Sequence, residues 1–257
     1  MAISPDFRTY PRASAATTAA VLDAGLRAYM LRVYNWMSSG LVLTGIVAYA
    51  IATYPPLHQL FYRQVTTPFG TATQPTGLAI LSIFAPLAFI LVLSMGVNRL
   101  SKSAVQTLFW VFCAAMGASL SNIFLVYTGE SIVRVFFITA ATFAGMSIYG
   151  YTTKADLSRF GSFLFMGLIG IIVAGLVNMF MHSSALQFAI SIIGVLVFTG
   201  LTAFDTQRIK AAYVQYAYAD GVDAAAKRSV YDALSLYLNF INLFMLLLQL
   251  LGNRNNN

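Results

Sequence analysis

Charge is what this chain has least of. Only 9% of its 257 residues are Asp, Glu, Lys or Arg, while 59% are hydrophobic. Soluble domains carry roughly a quarter charged residues. A water-soluble fold of this size would lack the polar shell needed to cover so much apolar surface, whereas a bilayer accepts an apolar exterior. Cysteine is rarer still: Cys113 stands alone inside an apolar run. It cannot form an internal disulfide, a metal site there would need other ligands nearby, and a buried inert thiol is the expectation. The two histidines, His58 and His182, fall in different connections. The polar N-terminal segment lacks the basic start, apolar stretch and small-residue cleavage site of a secretory signal, so the first span is expected to act as its own targeting signal. The net charge of +7 is spread through short connections, not gathered in a basic block with exposed aromatics. It therefore reads as membrane topology, and no nucleic-acid partner is expected.

What the chain does have is long apolar runs. A bilayer core takes about 20 apolar residues in helical form. Seven stretches meet or approach that length: 33–53, 77–98, 104–127, 131–151, 161–181, 185–204 and 231–251. The first closes at Tyr54-Pro55-Pro56, and the second contains Pro86, which removes a backbone hydrogen bond and is expected to kink it. Gly167, Gly170 and Ala174 place small residues on the fifth span, where they would favour close helix packing. The fold class expected is an all-α integral membrane protein of seven transmembrane helices. Residues 1–32 are expected to form a cytoplasmic N-terminal segment whose part from residue 14 onward is an interfacial helix. Residues 33–251 form the transmembrane domain and 252–257 a C-terminal tail.

Twelve of the 15 Lys and Arg residues fall in alternate connections. They are Arg8, Arg12, Arg27 and Arg32 before the first span; Arg99 and Lys102; Lys154 and Arg159; and Arg208, Lys210, Lys227 and Arg228. Arg63, Arg134 and Arg254 belong to the other side. The positive-inside rule then puts the N-terminus in the cytoplasm and the C-terminus outside. In the long connection 206–230, Gln207, Arg208 and Lys210 followed by Asp220-Gly221-Val222-Asp223 read as a helix end and a turn.

The chain has eight acidic residues. Asp6, Asp23, Asp156, Asp220 and Asp223 lie in polar segments, and Glu130 lies in a short outer turn. Asp205 and Asp232 differ, because one closes the apolar run 191–204 and the other opens the run 233–251. An ionisable group at membrane depth is expensive and tends to face a cavity or a partner. Both residues are expected at the cytoplasmic ends of neighbouring spans, at similar depth. Paired carboxylates titrate as a unit and can serve as a proton switch or as oxygen ligands for a hard cation such as Ca²⁺. The alternative is that each merely caps or solvates a helix end. Arg99 and Arg208 are the candidate cationic partners, with Arg99–Asp205 as a latch. Asn239 lies two turns after Asp232 with Ser235 between, giving the seventh span a polar face, so that helix is expected to turn inward.

Enzymatic signatures are missing. There is no His-Glu-x-x-His and no Gly-x-Gly-Asp to accompany Tyr231-Asp232, and Gly117-Ala118-Ser119 has no histidine partner within the membrane. Residues 231–251 contain no lysine for a retinal Schiff base. The chain is expected not to be an enzyme and to need no cofactor.

Three stretches carry a resemblance: Ser147-Ile148-Tyr149-Gly150-Tyr151-Thr152-Thr153-Lys154-Ala155-Asp156-Leu157-Ser158, Ala203-Phe204-Asp205-Thr206-Gln207-Arg208-Ile209, and Leu236-Tyr237-Leu238-Asn239-Phe240-Ile241-Asn242-Leu243-Phe244. Together they resemble the Bax inhibitor-1 family in its bacterial branch, over nearly the whole chain from about Ala24. The resemblance implies seven helices with the last surrounded by the other six, and a pH-sensitive Ca²⁺ leak across a membrane, here the bacterial inner membrane. It also implies regulatory roles, since eukaryotic relatives suppress cell death and bacterial relatives are tied to membrane-protease regulation. An Asp in the Asp-Thr-Gln motif, which maps onto Asp205, pairs in the family with an acid on the last helix. That second position is Asn239 here, with Asp232 two turns earlier as its substitute. The expected function is therefore a cation leak gated around Asp205, with Asp205, Asp232 and Asn239 as pH sensor and cation site. Ca²⁺, protons and the lipid bilayer are the expected partners. The alternative is a non-transport regulator that binds other membrane proteins such as a membrane protease.

Overall fold

A computed structural model describes residues 15–67, 70–96, 99–216 and 222–255. Arg8, Arg12, Asp6 and the Asp220-Gly221 part of the expected turn lie outside the described residues. The chain folds as α1 (Ala15–Thr53), α2 (Pro55–Phe61), β1 (Tyr62–Thr67), β2 (Gly70–Pro75), α3 (Gly77–Gly96), α4 (Lys102–Leu120), α5 (Ile123–Val126), α6 (Gly129–Thr152), α7 (Ser158–Met181), α8 (Ser184–Tyr216) and α9 (Val222–Leu251). Seven helical segments are long and apolar enough to cross a membrane, the third of them formed by α4 and α5 together. The chain is thus an all-α membrane bundle with one small addition. This is an antiparallel hairpin between the first two spans, in which Tyr62 faces Pro75 and Thr67 faces Gly70.

The last helix is the central one. In α9, 61% of the apolar window is buried, against 6% in α7 and 17% in α3. Helices α1, α4, α6 and α8 pack directly on α9. Helix α3 rests on α4, with Tyr231 Oη donating to the Leu93 carbonyl at 3.1 Å, and α7 rests on α8. Four spans, not six, therefore form the main wall around α9. Close approach comes from glycine at two crossings. A Cβ on Gly150 of α6 would collide with the Ala203 carbonyl of α8, and one on Gly117 of α4 would lie 2.6 Å from the Thr44 carbonyl of α1. On α7 the expected small-residue stripe is only partly used: Gly167 faces Val197, while a Cβ on Gly170 would meet nothing. Helix α3 continues through Pro86 to Gly96.

Three boundary expectations are corrected. There is no separate interfacial helix ending at residue 32, because α1 runs unbroken from Ala15 to Thr53. Leu26, Tyr29, Met30 and Val33 are buried in the core, so the residues assigned to the membrane surface belong to the bundle. Gln207, Arg208 and Lys210 do not end a helix, since α8 continues to Tyr216. Nor does α9 wait for residue 231; it begins at Val222. Hydropathy falls at the first charges, but helical hydrogen bonding does not. Ile209, Ala226 and Val230 still supply an apolar seam beyond the membrane run. As a result Asp205 and Asp232 sit well inside their helices and not at the ends.

The opposite end of the bundle is closed by the chain's C-terminal residues. The Thr128 amide donates to the Asn253 carbonyl, the Asn255 amide donates to the Val126 carbonyl, and Arg134 donates to the Leu251 carbonyl at 3.3 Å. Thr128 caps α6 by accepting from the Ser131 amide, and Glu130 in the first turn favours the helix dipole.

Candidate functional site

The sequence Asp205-Thr206-Gln207-Arg208-x-Lys210 lies on α8, where successive side chains fan out to different neighbours. Asp205 points at α9 and is only 5% exposed. Its Oδ2 accepts from Asn239 Nδ2 at 2.8 Å and from Ser235 Oγ at 2.9 Å, while Oδ1 pairs with Arg208 at 3.0 Å. Arg208 also donates to Ser235 Oγ at 3.1 Å. Thr206 turns the other way and shares a hydrogen bond with Ser147 of α6 at 3.0 Å. Gln207 reaches the α6–α7 turn, accepting from the Leu157 amide and donating to the Ala155 carbonyl, both at 2.8 Å. Lys210 donates to the Tyr151 carbonyl at 2.7 Å and lies over its ring. The motif therefore bolts α8 to α6 on one side and to α9 on the other.

A buried carboxylate is tolerable only when paired and hydrogen-bonded, and Asp205 meets both conditions through one cation and two neutral donors. Arg208 is its ion-pair partner. The expected Arg99 latch is not made: Arg99 lies exposed in the α3–α4 connection, and its side chain forms no ion pair with Asp205. Geometry decides between them. Arg208 is one helical turn from Asp205 on the same helix, a spacing that brings side chains together. The α3–α4 connection is instead tied to α9 by Lys102 and Asp223, 3.2 Å apart.

Asp232 sits on the same face of α9 as Ser235 and Asn239. Its carboxylate accepts from Tyr29 Oη of α1 at 2.5 Å, and it lies within electrostatic reach of Arg208, Arg228 and Asp205. Asp205, Asp232 and Asn239 are thus brought into one polar cluster between α8, α9 and α1. Sequence reasoning missed Tyr29, Ser147 and Thr206. For Tyr29 the available signal was its place in the apolar stripe Leu26, Tyr29, Met30, Val33, Met37, where it is the one hydroxyl. Tyr34 of α1 extends the cluster by sharing a hydrogen bond with Ser147 at 3.0 Å.

Among the described residues, no group of three or more His, Cys, Asp and Glu is arranged to hold a metal ion. Within hydrogen-bond distance of the Asp205 carboxylate stand the Ser235 hydroxyl, the Asn239 amide nitrogen and the Arg208 guanidinium, while the Tyr29 hydroxyl stands on Asp232. No buried side-chain nitrogen or oxygen among the described residues lacks a partner. At the α6–α7 turn, outside the spans, the Ser158 amide donates to Asp156. That bond, with help from the Ser158 hydroxyl and Arg159, holds the Asp156 carboxyl below its ordinary range.

The three resembling stretches thus converge in space, with Ser147 to Ser158 and Leu236 to Phe244 both meeting the Asp205 segment. Residues 26–256 match the family model described as "Inhibitor of apoptosis-promoting Bax1". The chain is 47% identical over 233 residues to a protein of Rickettsia prowazekii, covering 90% of this chain and 92% of the relative. It is 45% identical over 231 residues to "Inner membrane protein YbhL" of Escherichia coli K12, covering 90% of this chain and 94% of the relative. A membrane protein of Streptococcus pyogenes is 35% identical over 230 residues, again covering 90% of this chain and 94% of the relative. With the match running from α1 to the C-terminal tail and through every residue of the polar cluster, the chain belongs to the Bax inhibitor-1 family.

Proposed function

We propose that this protein is a pH-sensitive cation leak, with Ca²⁺ as the permeant ion, gated at the Asp205 cluster. The observation that carries the reading is a carboxylate buried against the central helix and held by an exposed arginine, with a second carboxylate close by. Adding or removing one proton in such a cluster changes the number of charged contacts joining α8, α9 and α1. Asp205 and Asp232 would supply hard oxygen ligands, with the Ser235 and Tyr29 hydroxyls adding neutral ones and Asn239 another once its amide turns its oxygen inward. Ca²⁺ takes 6–8 oxygens when tightly bound. Two carboxylates make a site weak enough to release the ion, as a leak requires. The ion would compete with Arg208 for Asp205, so displacement of Arg208 is the opening step.

The proposed location is the bacterial inner membrane, by analogy with the inner membrane relative of E. coli. The N-terminus lies in the cytoplasm and the C-terminus outside, on the distribution of Lys and Arg. The protein works without enzymatic chemistry. The test is Ca²⁺ flux into dye-loaded proteoliposomes across the neutral pH range, comparing wild type with Asp205→Asn and Asp232→Asn. The expected result is pH-dependent flux that loses its pH dependence in Asp205→Asn. Folded protein giving no flux above empty vesicles would refute the leak and leave the membrane-regulator reading.

A further inference from the structure

Helices α1 and α6 both pack on α9, yet between them the bundle is open. The two are bridged by the Tyr34–Ser147 hydrogen bond. Beyond it lies a cavity of about 620 Å³ whose floor is Phe240 of the central helix. Ligand pockets commonly have volumes of roughly 300–1,000 Å³. The rim carries Leu31, Val42 and Ile148, each more than half exposed, so the mouth faces the bilayer and not water.

The lining is mostly apolar, and its polar side chains other than Ser38 gather at one end. Arg27, Tyr34, Ser147 and Tyr151 lie at the end nearest the Asp205 cluster. Met37 and Leu41 of α1 and Phe136 and Phe143 of α6 lie deeper along the helices. Arg27 is exposed and makes no ion pair among the described residues. Lys210, bonded to the Tyr151 carbonyl, adds a second cation at the same end. From Arg27 to Val42 the groove follows α1 for roughly 22 Å at 1.5 Å per residue. Half of the hydrocarbon core is about 15 Å, so this length fits one acyl chain together with its glycerol and phosphate.

We propose that this groove is a binding site for one acyl chain of an anionic phospholipid, with the phosphate at Arg27. Entry from the bilayer, an apolar slot and a cation at one end together select that chemistry. Basic pockets between spans on the cytoplasmic side are suited to anionic headgroups. The lipid would touch Tyr34 and Ser147, which connect by hydrogen bonds to Thr206, the residue beside Asp205.

The test uses the full chain in phosphatidylglycerol vesicles doped with phosphatidylglycerol bearing a diazirine in one acyl chain. Irradiation is followed by mass-spectrometric mapping of adducts. The expected result is several-fold more labelling at Met37, Leu41 and Ala144 than at Phe163 and Met166, which face lipid on α7. Ala144→Phe fills the slot and abolishes the excess. Arg27→Gln, at an exposed position that spares the fold, reduces labelling several-fold, and so does replacing the probe by its phosphatidylcholine counterpart. Labelling no greater on α1 and α6 than on α7 would overturn the site. Equal labelling by the two headgroups would overturn the anionic ligand. Labelling needs no ion flux, so its outcome is separate from that of the leak assay.

Discussion

Asn239 offers the sharpest probe of the cluster, because its amide donates the hydrogen bond that a proton shared with a second acid would otherwise provide. Both partners are buried, Asp205 being 5% and Asn239 6% exposed, so water does not replace a lost contact. Asn239→Leu removes the donor while keeping the same heavy-atom branching. A hydrogen bond to a charged group contributes about 1.5–3 kcal/mol, and at roughly 2–4 °C per kcal/mol for a chain of this size the midpoint should fall by about 3–12 °C. Asn239→Asp behaves differently. Two ionised carboxylates about 4 Å apart repel by about 4 kcal/mol at an effective dielectric of 20, more than the lost hydrogen bond, unless a proton sits between them. The folded variant therefore binds one more proton than its unfolded chain at pH values above the ordinary carboxylate range. Its stability must then fall as pH rises. Thermal unfolding in detergent across the acidic to neutral range reads both effects. The deficit of Asn239→Asp relative to wild type should widen with pH, and more steeply than that of Asn239→Leu. A silent Asn239→Leu, or an Asn239→Asp deficit that ignores pH, would refute the placement of the amide against Asp205.

Arg208→Gln leaves Asp205 with two neutral donors. Because the arginine side chain is 46% exposed, the loss should be near 1 kcal/mol, below the 3–5 kcal/mol of a fully buried pair. In the flux assay the same variant should leak more than wild type. Gly150→Ala drives a methyl into the Ala203 carbonyl and should cost about 1–3 kcal/mol as overpacking, read as a lower unfolding midpoint, whereas Gly170→Ala should be neutral. Asp156 contributes to the α6–α7 turn only while ionised. Its carboxyl is held below the ordinary range chiefly by the Ser158 amide, so the contribution is complete above about pH 4 and is lost as pH falls through the lowered value. The protection factor of the Ser158 amide against hydrogen exchange should fall in that acidic window and should be low at every pH in Asp156→Ala.

The spans were legible because seven apolar runs separated by charge are a strong one-dimensional signal, and the inward turn of α9 was legible from Asp232, Ser235 and Asn239 on one face. The depth of Asp205 was not legible. Hydropathy treats the first charged residue as the end of a span, yet α8 runs on to Tyr216 because Ile209 keeps the apolar seam going and Gln207 and Lys210 find backbone partners on α6 and its turn. The choice of Arg208 over Arg99 was equally hidden in charge counting, although spacing along a helix favoured Arg208. Tyr29 could not be found from acid positions at all, since its role depends on α1 being one continuous helix that passes alongside α9.

Replacing the expected acid by Asn239 redistributes the work of the cluster. An amide presents its N–H to Asp205 at any pH, so the α8–α9 contact no longer requires a shared proton. The remaining acid, Asp232, sits two turns away, and its direct partner is Tyr29 of α1 at 2.5 Å. Under the proposed leak, a proton-dependent change in the cluster would reach α1 through Asp232 as well as α8 through Asp205, and α1 also forms one wall of the lateral groove. Under the same proposal, Arg208 is the charge that a permeating cation would displace from Asp205. If both proposals hold, the α1–α9 contact is the element that a change in proton load or in bound lipid would move.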